Sequence, residues 1–133
     1  MIGHSKMKLL KTKKFSQDAK KLKLTDEQLI VSLDDFINLD ENGKNRFSLG
    51  SQLYKIRLSF EGRGKSGSSR TIIVFKENSL TIWLHTFAKN DKNNVSDKEL
   101  IDLKKLSKVL LSLTENQIID LVNSNKLMEI KDE

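Results

Sequence analysis

Apolar positions along the 133-residue chain follow two rhythms. Leu29, Ile30, Leu33, Phe36 and Ile37 fall on one helical face, Thr25 and Gln28 form a capping box, and Asp26 and Glu27 occupy the first turn. This predicts a helix ending near Asn38, because the cap and the early carboxylates satisfy the free amides and positive end of a helix start. A shorter helix is expected from a Ser16 cap through Lys23, with Ala19 and Leu22 inward. Ser96 with Glu99 and Thr114 with Gln117 open two more helices. Their expected buried stripes are Leu100, Leu103, Leu106, Val109 and Leu110 in the first, and Ile118, Leu121 and Val122 in the second.

Strands follow the other rhythm. LLKTKKF (9–15) alternates over a short stretch, and LYKIRLS (53–59) sets Leu53, Lys55, Arg57 and Ser59 on one side against Tyr54, Ile56 and Leu58 on the other. RTIIVF (70–75) is almost continuously apolar and is expected to be central; a turn at Glu77 to Ser79 then leads into LTIWLHTF (80–87). The polar, glycine-bearing segment DENGKNRFSLGSQ (40–52) is expected to be a loop. Strand, loop, strand, turn, strand makes an antiparallel meander with helices before and after it. The expected class is α+β, with about four strands flanked by N-terminal helices and two C-terminal helices in one domain over residues 1–133.

Composition narrows the chemistry. With no cysteine and only His4 and His85, the chain lacks disulfides, thiolate chemistry and the ligand set of a structural zinc site, and neither metal nor cofactor is expected. No apolar run reaches the ~20 residues of a membrane span, and the first residues lack the apolar centre of a signal peptide, so a soluble, cytoplasmic protein without a membrane partner is expected. The net charge of +6 is unevenly placed. Residues 1–24 hold eight lysines against Asp18, and residues 50–95 hold eight cations against Glu61, Glu77 and Asp91, while the segments between and after are net acidic. Basic charge confined to two segments suggests a surface that faces a polyanion, nucleic acid first.

GRGKSGSSR (62–70) concentrates glycine, serine and three cations around a GKS core. It is not a nucleotide P-loop, because Ser59 stands where the first glycine is required and a strand follows where a helix is needed. Arg63, Lys65 and Arg70 can nevertheless meet phosphate with their side chains, or the loop can be a solvated hairpin connection. Period-two geometry brings Lys55, Arg57 and Arg70 to one sheet face, with Lys65 and Lys89 at its margin and Phe87 or Tyr54 as an aromatic on which a base could stack. The plainer reading of the same pattern is a solvent-facing strand whose lysines discourage edge pairing.

The succession LYKIRL, GRGKSGSSRTIIVF, HTFAKND and a helical tail closing with LTENQIIDLVNSNKLMEI resembles the RelE/HigB-type toxins of bacterial type II toxin–antitoxin modules, over about Lys8 to Ile130. The resemblance implies the compact microbial-ribonuclease-like fold, a toxin that enters the ribosomal A site and cuts messenger RNA, and neutralisation by a cognate antitoxin, expected to be a helix-turn-helix protein. It also implies that Lys55 and Arg57 are the paired cations of the first central strand, that Arg70 opens the next strand, and that Lys89 is the basic residue after the last. Lys65 belongs to the loop, and Arg63, Lys65, Phe87 and His85 are the expected RNA-binding set. Where some members carry a tyrosine after the last basic residue, this chain has Asn93, Asn94, Val95 and Ser96; others use histidines, and His85 is the one nearby.

Metal-free RNA cleavage needs a base for the 2′-OH, positive charge on the phosphorane oxygens and an acid for the leaving 5′-oxygen. The expected assignment is Arg70 and Arg57 on the phosphate, Lys55 as base, and Lys89 or His85 as acid, with His85 alternatively packed within its strand. Two other classes compete: a ParE-like toxin acting on DNA gyrase, and an inactive nucleic-acid-binding module.

Overall fold

The computed structural model describes residues 7–59, 68–88 and 95–130. In chain order the elements are β1 (Lys8–Thr12), α1 (Lys13–Lys21), α2 (Asp26–Ile37), α3 (Glu41–Asn45), β2 (Ser48–Gly50), β3 (Leu53–Ser59), β4 (Ser68–Lys76), β5 (Leu80–Ala88), α4 (Asp97–Leu111), α5 (Glu115–Asn123) and β6 (Leu127–Glu129). The strands form one six-stranded sheet in the order β2-β3-β4-β5-β1-β6. All neighbours are antiparallel except β1 and β5, which run parallel. The class is α+β, and β3-β4-β5 is the expected meander.

Each face of the sheet carries its own core. On one side α1 and α2 cover Ile56, Leu58, Ile73, Phe75 and Trp83, with Phe15, Leu29, Leu33 and Phe36 facing them. On the other, α4 and α5 cover Leu53, Ile72, Val74, Ile82 and Leu84 through Leu110 and Ile118. The continuous apolar run of β4 is explained by this double burial: Ile72 and Val74 serve one core, Ile73 and Phe75 the other. All three capping boxes form, with Thr25, Ser96 and Thr114 as N-caps.

Several expectations are corrected. The first strand stops at Thr12, not Phe15, because the Thr12 side chain accepts from Phe15 N (3.1 Å) and starts α1 well before Ser16; Phe15 thereby turns into the core. The segment 40–52 is not plain loop: Asp40 caps α3 by accepting from Gly43 N (2.7 Å), and β2 pairs with the start of β3. The β2-β3 hairpin turns on Ser51 and Gln52, at φ 53° and 61°, the pair of left-handed conformations that a type I′ two-residue hairpin requires. β6, also unforeseen, adds to β1 as an edge strand anchored by Leu127 and Ile130. The sheet therefore has six strands among the described residues rather than about four. On α4, Leu106 and Val109 are exposed, whereas Leu110 is buried as expected, together with Ser107, whose Oγ donates to Ser51 O (2.7 Å).

Candidate functional site

Two adjacent rows of β3, β4 and β5 bring the predicted residues together. Arg57 lies directly opposite Arg70, which lies opposite Phe87; one step further, Lys55 lies opposite Ile72, which lies opposite His85. Directly paired residues share a face, so Lys55, Arg57, Arg70, His85 and Phe87 occupy one end of the face that α4 and α5 cover elsewhere.

His85 and Phe87 reach this face through an irregularity. Pairing passes from Ile72↔His85 to Ile73↔Trp83, leaving Leu84 as an extra residue on β5. Strict alternation from Trp83, which belongs to the α1/α2 side, would send His85 and Phe87 to that side as well. The bulge shifts the register by one and reverses them. Nothing in LTIWLHTF announces this, since the run has no glycine at the bulge.

The arginines are placed against local preference. Like charges directly opposite on neighbouring strands repel, and neither Arg57 nor Arg70 forms an ion pair among the described residues. Arg70 Nη1 is buried without a hydrogen-bond partner among the described residues, a donor that a phosphate oxygen would satisfy. The backbone beneath it is pinned, because Thr86 Oγ1 donates to Arg70 O (3.1 Å) and Thr71 Oγ1 donates to Ile56 O (3.2 Å). Arg57 is exposed, beyond the β2 pairing that ends at Tyr54, and it also borders a groove along α2 with Glu27 and Asp35.

His85 is mostly enclosed, with 13% of its side chain exposed, and its ring lies 5.7 Å from that of Phe87. Its Nε2 is 3.8 Å from Glu99 Oε2 of α4. Glu99 was legible in the sequence only as a capping residue. Beside His85 opens a cleft of about 490 Å³, floored by Leu84, Leu103 and Leu106.

Other predicted members are elsewhere. Tyr54 packs in the opposite core against Phe36 and Phe75, at ring distances of 5.0 and 6.0 Å, and offers no platform on the cation face. Phe87 is on that face but only 7% exposed. Arg63, Lys65 and Lys89, with Asn93 and Asn94, lie outside the described residues. Among the described residues no helix is long and apolar enough to cross a membrane.

The clustered cations, the enclosed imidazole and the orphaned guanidinium donor suit a phosphodiester. No curated protein matches the chain. A family model described as the RelE toxin of the RelE / RelB toxin-antitoxin system matches residues 7–130.

Proposed function

The chain belongs to the RelE toxin family, and from that premise we propose that it is a ribosome-dependent endoribonuclease that cuts messenger RNA and so arrests translation in the cytoplasm. A cognate antitoxin, expected to carry a helix-turn-helix domain, holds it in check. The observation that carries this reading is the Arg57–Arg70 pair on adjacent strands, one row from Lys55 and His85.

In this reading Arg70 and Arg57 grip the scissile phosphate, to which a guanidinium fork presents two donors at once. Lys55 takes the proton of the 2′-OH while that oxygen attacks phosphorus. The bond from phosphorus to the 5′-oxygen breaks, and His85 donates a proton to the departing oxygen, leaving a 2′,3′-cyclic phosphate. Lys55 and His85 stand two strands apart, roughly 9–10 Å along the sheet, a span in which a phosphate with its flanking oxygens can sit between base and acid. Lys89 is the alternative acid. The arginine charges act on the phosphorane oxygens at the moment their negative charge develops, where fixed cations lower the barrier most.

Primer-extension mapping of a reporter message in a translating extract tests this. Cuts at codons in the ribosomal A site, absent without ribosomes and absent with a folded Arg70→Ala variant, are expected. An intact message with the wild-type protein would sink the ribonuclease reading and leave the gyrase-directed or inactive-binder alternatives. Cleavage that survives in folded Arg70→Ala would remove Arg70 from the site.

A further inference from the structure

We propose that Glu99 is a positioning residue for His85, a carboxylate delivered by the first turn of α4 that orients the imidazole toward the Lys55, Arg57 and Arg70 cluster. The proposal deepens the ribonuclease reading and rests on it for the catalytic consequence.

The geometry starts at the helix cap. Glu99 N donates to Ser96 Oγ (3.1 Å) and Ser96 N donates to Glu99 Oε1 (2.9 Å). One carboxylate oxygen is thereby committed to the capping box, which fixes the side chain's direction. The other oxygen, Oε2, is the one 3.8 Å from His85 Nε2. That distance exceeds a hydrogen bond, yet it lies within the range where opposite charges act strongly in a partly enclosed site. The positive end of α4 favours negative charge at the same position.

His85 meets this carboxylate only because the bulge at Leu84 turns it onto the α4 side. The ring then stands between Glu99 and Phe87, which faces Arg70 across the sheet. Several charged groups lie in its neighbourhood. Asp102 of α4, Lys13 and Lys14 of α1, and Lys126 line the same cleft. Lys55 lies beyond Ile72, and Arg70 lies one row away. Among the described residues named here cations outnumber carboxylates, an environment that disfavours an imidazolium. Glu99 is a counter-charge whose Oε2 approaches the ring.

The chemical consequence is an ordered proton donor. With Nε2 toward Glu99, Nδ1 transfers the proton to the 5′-oxygen as the phosphorus–oxygen bond breaks. The ring becomes neutral, keeping its Nε2 proton directed at the carboxylate.

Two variants separate the charge from the cap. Glu99→Gln keeps an amide oxygen for the Ser96 amide and so preserves the capping box while deleting the charge. Ser96→Ala weakens the cap and keeps the carboxylate. His85 is followed by proton NMR titration of its ring, assigned with a His4→Asn background because the chain has two histidines. The same proteins are assayed for ribosome-dependent cleavage across pH. In Glu99→Gln the His85 midpoint is expected to move to lower pH, because a stabilising anion has been removed. The alkaline limb of kcat should follow it, with kcat near neutral pH lower by roughly tenfold and KM unchanged. Ser96→Ala should lower the melting temperature and leave both the midpoint and the limb in place. An unmoved midpoint in Glu99→Gln overturns the pairing. A moved midpoint with an unmoved limb overturns the catalytic role while the ribonuclease reading stands. A moved midpoint in proteins that never cleave message overturns that role because the ribonuclease reading itself has failed.

Discussion

Opposite Arg57 on the neighbouring strand, Arg70 adds a guanidinium where a positive charge already stands, and its Nη1 is buried with no hydrogen-bond partner among the described residues. Both features oppose folding: cross-strand like charges destabilise by up to ~1 kcal/mol, and an unsatisfied buried donor carries a desolvation cost. Arg70→Met keeps most of the apolar stem and removes both penalties. It is expected to raise unfolding stability by about 0.5–1 kcal/mol in urea titrations and to lower message cleavage by at least ~100-fold. A variant that loses stability instead would show that Arg70 has a structural role. At this scale the sequence was informative where side chains alternate regularly, since Lys55, Arg57 and Arg70 share a face as their spacing requires. It was ambiguous for the aromatics: Phe87 joins the cations, whereas Tyr54 follows Ile56 and Leu58 into the other core.

The three helices with a capping box formed where that signal lay, whereas α1 starts from Thr12 and not from Ser16. Thr25, Ser96 and Thr114 cap their helices because the bonds concerned span three residues and need no tertiary partner. The β2-β3 hairpin carries no such signal, since Ser51 and Gln52 stand where Asn-Gly would be favoured, both with positive φ. Gln52→Gly is expected to stabilise the protein by roughly 0.5–1 kcal/mol, because glycine removes the side-chain clash of the left-handed region; the shift in urea midpoint measures it. On α4, Leu110 is 5% and Val109 56% exposed, although both fit an apolar stripe. Leu110→Ala should cost about 2–4 kcal/mol, and Val109→Ala within ~0.5 kcal/mol. Equal costs in thermal unfolding would contradict the observed seating of α4 through Ser107 and Leu110. The seating follows from the bond between Ser107 and Ser51 O, a contact between residues 56 positions apart that no helical period can foretell.

Across the whole molecule, the sheet joins early and late segments of the described residues. β1 lies between β5 and β6, so the first and last strands pair with one another, and Lys11 Nζ ties β1 to Asp26 of α2 at 2.9 Å. Leu127 serves the core under α4 and α5, while Ile130 serves the core under α1 and α2. Truncation after Lys126 therefore withdraws one anchor from each layer and uncovers β1. The expected loss is about 3–6 kcal/mol, comparable with the whole stability of many domains. Guanidinium unfolding should show a much lower midpoint or no folded baseline; an unchanged midpoint would mean that β6 contributes nothing.

By itself the sequence determined the α+β class, the meander, the three helices opened by capping boxes and the line of cations along β3 and β4. Each of these depends on periods and short-range bonds written into neighbouring residues. Tertiary structure alone decided the bulge at Leu84, the approach of Glu99 to His85 and the pairing of β1 with β5 and β6. Register between strands is set by how two cores fill at once, and a one-residue slip reverses every side chain beyond it. That slip carries His85 and Phe87 from the side of Trp83 to the side of the arginines, and so brings them to the candidate site.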